Sequence, residues 1–136
     1  MQIARRTLFV ALAGLIALLL AAPAQAKTLK SNLFQSFGFR VSCGVQVPEL
    51  GGMSCFSEAI PSGELDGVVE LHAKGEAETG ERGDSPWVEG SIFKPLRKGQ
   101  AWRRTGVTCK RKGRVVRCVN GDKHGFEISP DVFKTF

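Results

Sequence analysis

Four cations fall within five residues at Lys110-Arg111-Lys112-Gly113-Arg114, the densest concentration of chemistry-bearing side chains in the chain. Ammonium and guanidinium groups hold carboxylates, sulfates and phosphates; a run of them recognises anions rather than breaking bonds. Arg103 and Arg104 follow directly on Trp102, placing two more cations beside an aromatic ring. We take Arg103, Arg104, Lys110, Arg111, Lys112 and Arg114 as the candidate anion-binding set. For Trp102 itself the expected place is the core, with the arginines directed outward.

Catalytic constellations are thinner. His124, in a Gly-flanked turn beside Asp122, is the candidate base for a small extracellular hydrolase. Such chemistry needs a nucleophile within hydrogen-bond reach, and Gly52-Met53-Ser54-Cys55 lacks the final glycine of a nucleophile elbow. The expected role of His124 is structural, its ring hydrogen-bonding the turn's own backbone. His72 and His124 are too far apart for the two-histidine helical spacing of a zinc site. Glu76, Glu78, Glu81 and Asp84 lack the alternating order of a calcium loop. Ten carboxylates in one segment make any chosen glycosidase pair uninformative. We therefore expect a non-catalytic protein with no metal and no cofactor.

The cysteines carry a different chemistry. Eleven residues separate Cys43 from Cys55 and eight separate Cys109 from Cys118. Neither spacing resembles the short pairs of zinc ribbons, whereas four cysteines in a small exported chain form a disulfide framework. Three pairings can be drawn. The hairpin-local one, Cys43–Cys55 with Cys109–Cys118, is favoured because Val107-Thr108-Cys109 and Val116-Arg117-Cys118 flank the basic, Gly-bearing turn as antiparallel strands would. Val41-Ser42-Cys43 and Met53-Ser54-Cys55 mirror those triplets, a short internal repeat.

These residues need elements to position them. Arg5-Arg6, an apolar run from Leu8 to Ala22 and Ala24-Gln25-Ala26 read as a signal peptide over residues 1–26. The rival is an uncleaved N-terminal anchor, although the run falls short of a comfortable span. The general and twin-arginine export routes stay open. Residues 27–136 then form a single domain without a second long apolar segment.

No 3.6-residue apolar period is sustained, while Gly and Pro punctuate short β-branched or aromatic runs. The expected fold is all-β, a small disulfide-stapled sandwich or barrel of antiparallel hairpins. Strands are expected at Phe37–Cys43, from Met53, and over Gly67–Ala73, with an exposed loop over Gly75–Ser85. Pro86-Trp87-Val88 and Ile92-Phe93 should re-enter the fold. A helical turn is expected at Pro130–Phe133, capped by Ser129.

Charge is segregated along the chain. Between Glu49 and Gly90, ten carboxylates face only Lys74 and Arg82; between Ile92 and Lys123, eleven Lys and Arg face only Asp122. Either the two blocks neutralise one another, or the basic block stays exposed and binds polyanions. On the second reading the partner outside the cell is an anionic cell-wall polymer or polysaccharide surface, and not nucleic acid, which stays inside. The expected location is secreted or cell-wall associated, with no transmembrane anchor after cleavage. An inhibitor or toxin-like scaffold, the third reading, would instead expose an apolar patch.

Gly106-Val107-Thr108-Cys109, Val116-Arg117-Cys118-Val119-Asn120 and His124-Gly125-Phe126-Glu127-Ile128-Ser129 carry one family likeness. Through them the chain resembles a family of small exported bacterial proteins, mostly actinobacterial, known as a domain of unknown function. That family joins a Cys-bearing hairpin to a terminal Gly-His-Gly-Phe-x-Ile-Ser stretch. Here Lys123 stands where a glycine would precede the histidine, and Phe39-Arg40-Val41-Ser42-Cys43 lacks the family's Ser-Gly-Asn lead. The resemblance implies an exported, disulfide-bearing fold and supplies no activity.

Overall fold

The computed structural model describes residues 25–45, 51–83 and 87–136. The signal peptide expected over residues 1–26 lies outside them, except for Gln25 and Ala26. Among the described residues there are twelve strands and no helix: β1 (Lys27–Leu29), β2 (Leu33–Ser36), β3 (Val41–Gly44), β4 (Met53–Ser57), β5 (Asp66–Leu71), β6 (Glu78–Arg82), β7 (Lys94–Pro95), β8 (Gln100–Arg104), β9 (Val107–Lys112), β10 (Val115–Asn120), β11 (Gly125–Ile128) and β12 (Phe133–Thr135). The all-β expectation holds.

The strands form two six-stranded sheets built on one plan. One runs β1-β8-β9-β10-β11-β12 and the other β7-β2-β3-β4-β5-β6. Each is a five-strand antiparallel meander with a short parallel strand at the edge where the meander starts. Those edge strands are exchanged. β1 leads into β2 yet pairs with β8, and β7 leads into β8 yet pairs with β2.

Cysteine positions follow the same plan. Cys43 lies opposite Cys55 on β3 and β4, and Cys109 lies opposite Cys118 on β9 and β10. Both pairs are disulfides, with Cα atoms 4.1 and 4.0 Å apart, the closer of the two antiparallel cross-strand spacings. The pairing favoured from spacing is the one formed, and the short repeat of Cys triplets marks the duplicated plan. On the strand before each first cysteine, Phe34 sits opposite Cys43 and Trp102 opposite Cys109. These two rings meet at 5.2 Å, both fully buried.

Alternation sorts the strands into an inner and an outer face. On β10, Val116, Cys118 and Asn120 are buried while Val115, Arg117 and Val119 are half-buried. Inward residues of both sheets form one core, including Val41, Val69, Leu71, Leu96, Val107, Phe126 and Ile128. Burying such side chains contributes roughly 1.5–3 kcal/mol each. Side-chain to main-chain bonds tie the sheets at their rims: Trp102 Nε1 donates to Ser31 O at 2.8 Å, Ser57 Oγ to Ser129 O at 3.0 Å, and Thr105 Oγ1 to Gly52 O at 2.9 Å.

Two glycines are required by geometry. Gly113 takes φ 56° at the first central position of the two-residue β9–β10 turn, which matches the strand twist only with a left-handed residue there. At Gly125 a Cβ would collide with the carbonyl oxygen of Cys118.

Several local expectations are corrected. Phe37–Arg40 is a turn rather than strand, because Phe37, Gly38 and Phe39 all take positive φ; β3 begins at Val41. Part of the loop expected at Gly75–Ser85 is an edge strand, β6, held by backbone pairing to β5. Trp87 and Phe93 pack against the fold, but Val88 and Ile92 are 82% and 77% exposed. Ser129 does cap, accepting from Asp131 N and Val132 N, yet the residues it caps form a turn into β12 and not a helix.

Candidate functional site

Register decides which cations can act together. Lys110 on β9 pairs with Ala101 on β8 and with Arg117 on β10; Arg117 pairs with Glu127 on β11, and Glu127 with Lys134 on β12. One cross-strand row on the outer face of this sheet therefore reads Ala101, Lys110, Arg117, Glu127, Lys134. The adjacent row holds Arg103, Thr108, Val119 and Gly125, and the row toward the turn holds Lys112 and Val115. Between β9 and β10 lies a shallow depression of about 230 Å³, lined by Thr108, Lys110, Lys112, Arg117 and Val119.

The six candidate residues divide by the same period of two. Arg103, Lys110 and Lys112 lie on the outer face, exposed, with Arg114 exposed at the turn. Among the described residues none of these four makes an ion pair. Arg104 and Arg111 lie on the other side of the strands and are half-buried. Arg104 Nε donates to Asn32 Oδ1 at 3.3 Å and its Nη1 to Arg103 O at 3.0 Å. Arg111 stacks over the Phe37 ring at 4.3 Å, with its Nε buried and without a hydrogen-bond partner. Both fasten strand ends to the opposite sheet's β2–β3 region, so the set that shares a face is smaller than the sequence suggested.

It also gains members that sequence reasoning left out. Arg117 and Lys134 both hold Glu127, at 2.7 and 3.1 Å, and the Arg117 guanidinium lies 3.8 Å over the Phe136 ring. Alternation through Val115-Val116-Arg117-Cys118 was the available signal: with Cys118 inward, Arg117 must face out beside Lys110. The face thus carries six cations and one strand carboxylate, Glu127, which holds two of them. Lys110 and Arg117 stand directly opposite one another, a like-charge pair that Glu127 offsets on the Arg117 side and not on the Lys110 side.

The hydrogen bonds from Lys134 and Arg117 hold the Glu127 carboxyl below its ordinary range. A carboxylate with a depressed pKa contributes stability that is complete above its unfolded value and is lost as pH falls through the folded one. Glu127→Gln should accordingly melt lower than wild type at pH 6, by roughly 2–4 °C. That gap should narrow as pH falls below about 4.5 and through the depressed folded value, measured by thermal melts across the acid range. A gap that stays constant until both proteins unfold in acid would refute the role given to this carboxylate.

Asp66, Glu70, Glu78 and Glu81 lie on β5 and β6, strands of the other sheet. The ion pairs seen among the described residues join Arg40 to Asp131 and Glu127 to Arg117 and Lys134.

The ring bond expected of His124 is not seen among the described residues; its main chain is what the turn holds. Its N–H donates to Asn120 Oδ1 at 3.1 Å and its carbonyl accepts from Asn120 N at 2.9 Å. Asp122 is turned away: its Oδ2 accepts from Gly75 N at 2.9 Å. Asn120, buried, is the organiser of this corner, also donating through Nδ2 to His72 O and Gly75 O. His72 is exposed, and no group of three or more potential metal ligands forms among the described residues. Nor is any helix among them long and apolar enough to cross a membrane.

No known protein family, characterised protein or solved structure matches this chain.

Proposed function

We propose that this is a secreted or wall-associated, non-catalytic domain that binds anionic cell-surface polymers through the outer face of β8–β12. Its basic patch comprises Arg103, Lys110, Lys112 and Arg114, joined by Arg117. The observation that carries the reading is the Lys110–Arg117 cross-strand pair, flanked by Lys112 and Arg103 and lacking a carboxylate on the turn side. Repeated sulfate, phosphate or carboxylate groups along a polymer relieve that like-charge contact at several points at once. Two buried disulfides fit an oxidising location outside the cell. Glu127 closes the far end of the row, so the polymer runs along β9–β10 toward the turn.

Binding of this kind weakens as ionic strength rises. The test is the affinity for a sulfated polysaccharide, heparin or dextran sulfate, measured at several salt concentrations. In the Arg103→Ser, Lys110→Ser, Lys112→Ser, Arg114→Ser variant the affinity should fall at least about a hundredfold at low salt, taking about 1 kcal/mol per cation near an anionic surface. The Lys74→Ser, Arg82→Ser variant, on the opposite sheet's side, should bind as wild type does. Salt-insensitive binding, or equal loss in both variants, would refute the proposal.

A further inference from the structure

The outer face of the second sheet is unlike the first. Phe56 on β4 faces outward there, and the segment after residue 86 folds over it. Trp87 packs edge-on against Phe56 at 5.7 Å and against Phe93 at 5.4 Å, and Phe93 packs on Phe39 at 5.9 Å. Trp87 Nε1 donates to Ser42 Oγ at 3.3 Å, fixing the indole over β3. Beside this chain of rings lies an open cleft of about 350 Å³, a volume within the range of small-ligand sites. Phe39, Phe56 and Trp87 line it together with Arg40, Glu58 and Asp66.

Phe39 is the telling residue. It is 62% exposed and sits at φ 67°, a left-handed conformation that a bulky side chain adopts only at a cost. Its N–H is held by Gln35 Oε1 at 3.2 Å. One edge contact with Phe93 is a small return for an aromatic ring kept in a strained turn and left mostly in water. Glycine or asparagine would make the same turn more easily.

From these features we infer a second binding site, for an uncharged pyranose unit of a glycan. A sugar ring has an apolar C–H face that lies against the electron-rich face of an aromatic ring. Around its rim are hydroxyls that need both donors and acceptors. The lining offers those complements together: the Phe39, Phe56 and Trp87 rings, the Arg40 guanidinium as donor, and the Glu58 and Asp66 carboxylates as acceptors. Arg40 is available to donate, because its contact with Asp131 spans 3.7 Å between exposed side chains. Mixed charge at the rim excludes a strongly anionic ligand and, through Arg40, disfavours a cationic one. The site stands on the sheet opposite the basic face and does not depend on it.

The experiment titrates the intact domain with neutral tetrasaccharides: chitotetraose, cellotetraose, maltotetraose and laminaritetraose. Tryptophan fluorescence and calorimetry read the binding. Of the two tryptophans only Trp87 is accessible, since Trp102 is fully buried. At least one glycan should shift the emission with millimolar or tighter affinity. Phe39→Gly should lower that affinity about tenfold or more while leaving thermal stability unchanged or raised, because it removes the left-handed strain. Asp66→Asn should lower affinity without moving the melting point. The Ser variant of the basic face should bind the same glycan as wild type does, which separates this site from the polyanion site. Absence of binding across the panel overturns the inference. So do undiminished binding in Phe39→Gly, a Phe39→Gly variant that is strongly destabilised, and saturable binding of tetramethylammonium in place of every glycan.

Discussion

Replacing Trp102 by alanine should lower stability by about 3–5 kcal/mol and the melting temperature by about 12–25 °C. The ring is fully buried, meets Phe34 at 5.2 Å, and donates from Nε1 to Ser31 O. Its loss leaves a cavity at the place where the two sheets touch ring to ring, together with an unsatisfied carbonyl. Small domains hold a total of roughly 5–15 kcal/mol, so the variant approaches the unfolding threshold. Trp102→Phe keeps most of the packing and removes the N–H bond, and should cost about 1–2 kcal/mol. Calorimetry of both variants decides the matter. Because Phe34 and Trp102 belong to different sheets, each variant should still unfold in one transition; two separate transitions would show that the sheets do not share a core.

The second large effect concerns the sulfur bridges. In the chain-entropy account, loops closed at sequence separations of 12 and 9 each contribute about 2.5–3 kcal/mol. Cys43→Ala with Cys55→Ala should therefore lower the denaturation midpoint strongly, and Cys109→Ala with Cys118→Ala should do so by a similar amount. Removing both bridges should leave no stable fold at 37 °C. All four cysteines have no exposed surface, so reductant should act on the native protein only as fast as it opens. Denaturant melts of the three variants, with thiol labelling of the native wild type, test these statements. Rapid labelling by mild reductant without denaturant would contradict the burial argument.

What could be read from the chain was local. Cys109 and Cys118 flank a Gly-bearing turn in strict alternation, so their strands, their pairing and the class of fold came out of period and spacing. The same alternation misled at Phe37-Gly38-Phe39-Arg40, where apolar and polar residues take turns but the backbone is left-handed. β6 escaped notice because Glu78-Thr79-Gly80-Glu81-Arg82 carries no apolar residue; an edge strand needs only its neighbour's backbone. The exchange of β1 and β7 left no local trace, since two or three residues pairing across long stretches of chain have no period to detect. For the candidate site, the run of charge was legible but its cross-strand neighbours were not. Alternation from the inward cysteines sets Arg111 inside and Arg117 outside, but only the register shows that Arg117 stands opposite Lys110. Residues of the aromatic cleft come from separated segments, and Phe39 became notable only once its φ and exposure were known.

The exchanged edge strands bear on how the chain acquires its shape during synthesis. β1 emerges first, yet its partner β8 arrives more than seventy residues later, Lys27 pairing with Gln100. β2 likewise waits for β7, Phe34 pairing with Lys94. Neither sheet is complete until the stretch around residues 94–104 has appeared. Once β9–β12 have followed, both halves can close on one another like two hooked fingers. Long-range closure of this sort makes folding slow, of the order of milliseconds to seconds for β-rich topologies. Until then β1 has no partner strand and β2 lacks one of its two neighbours.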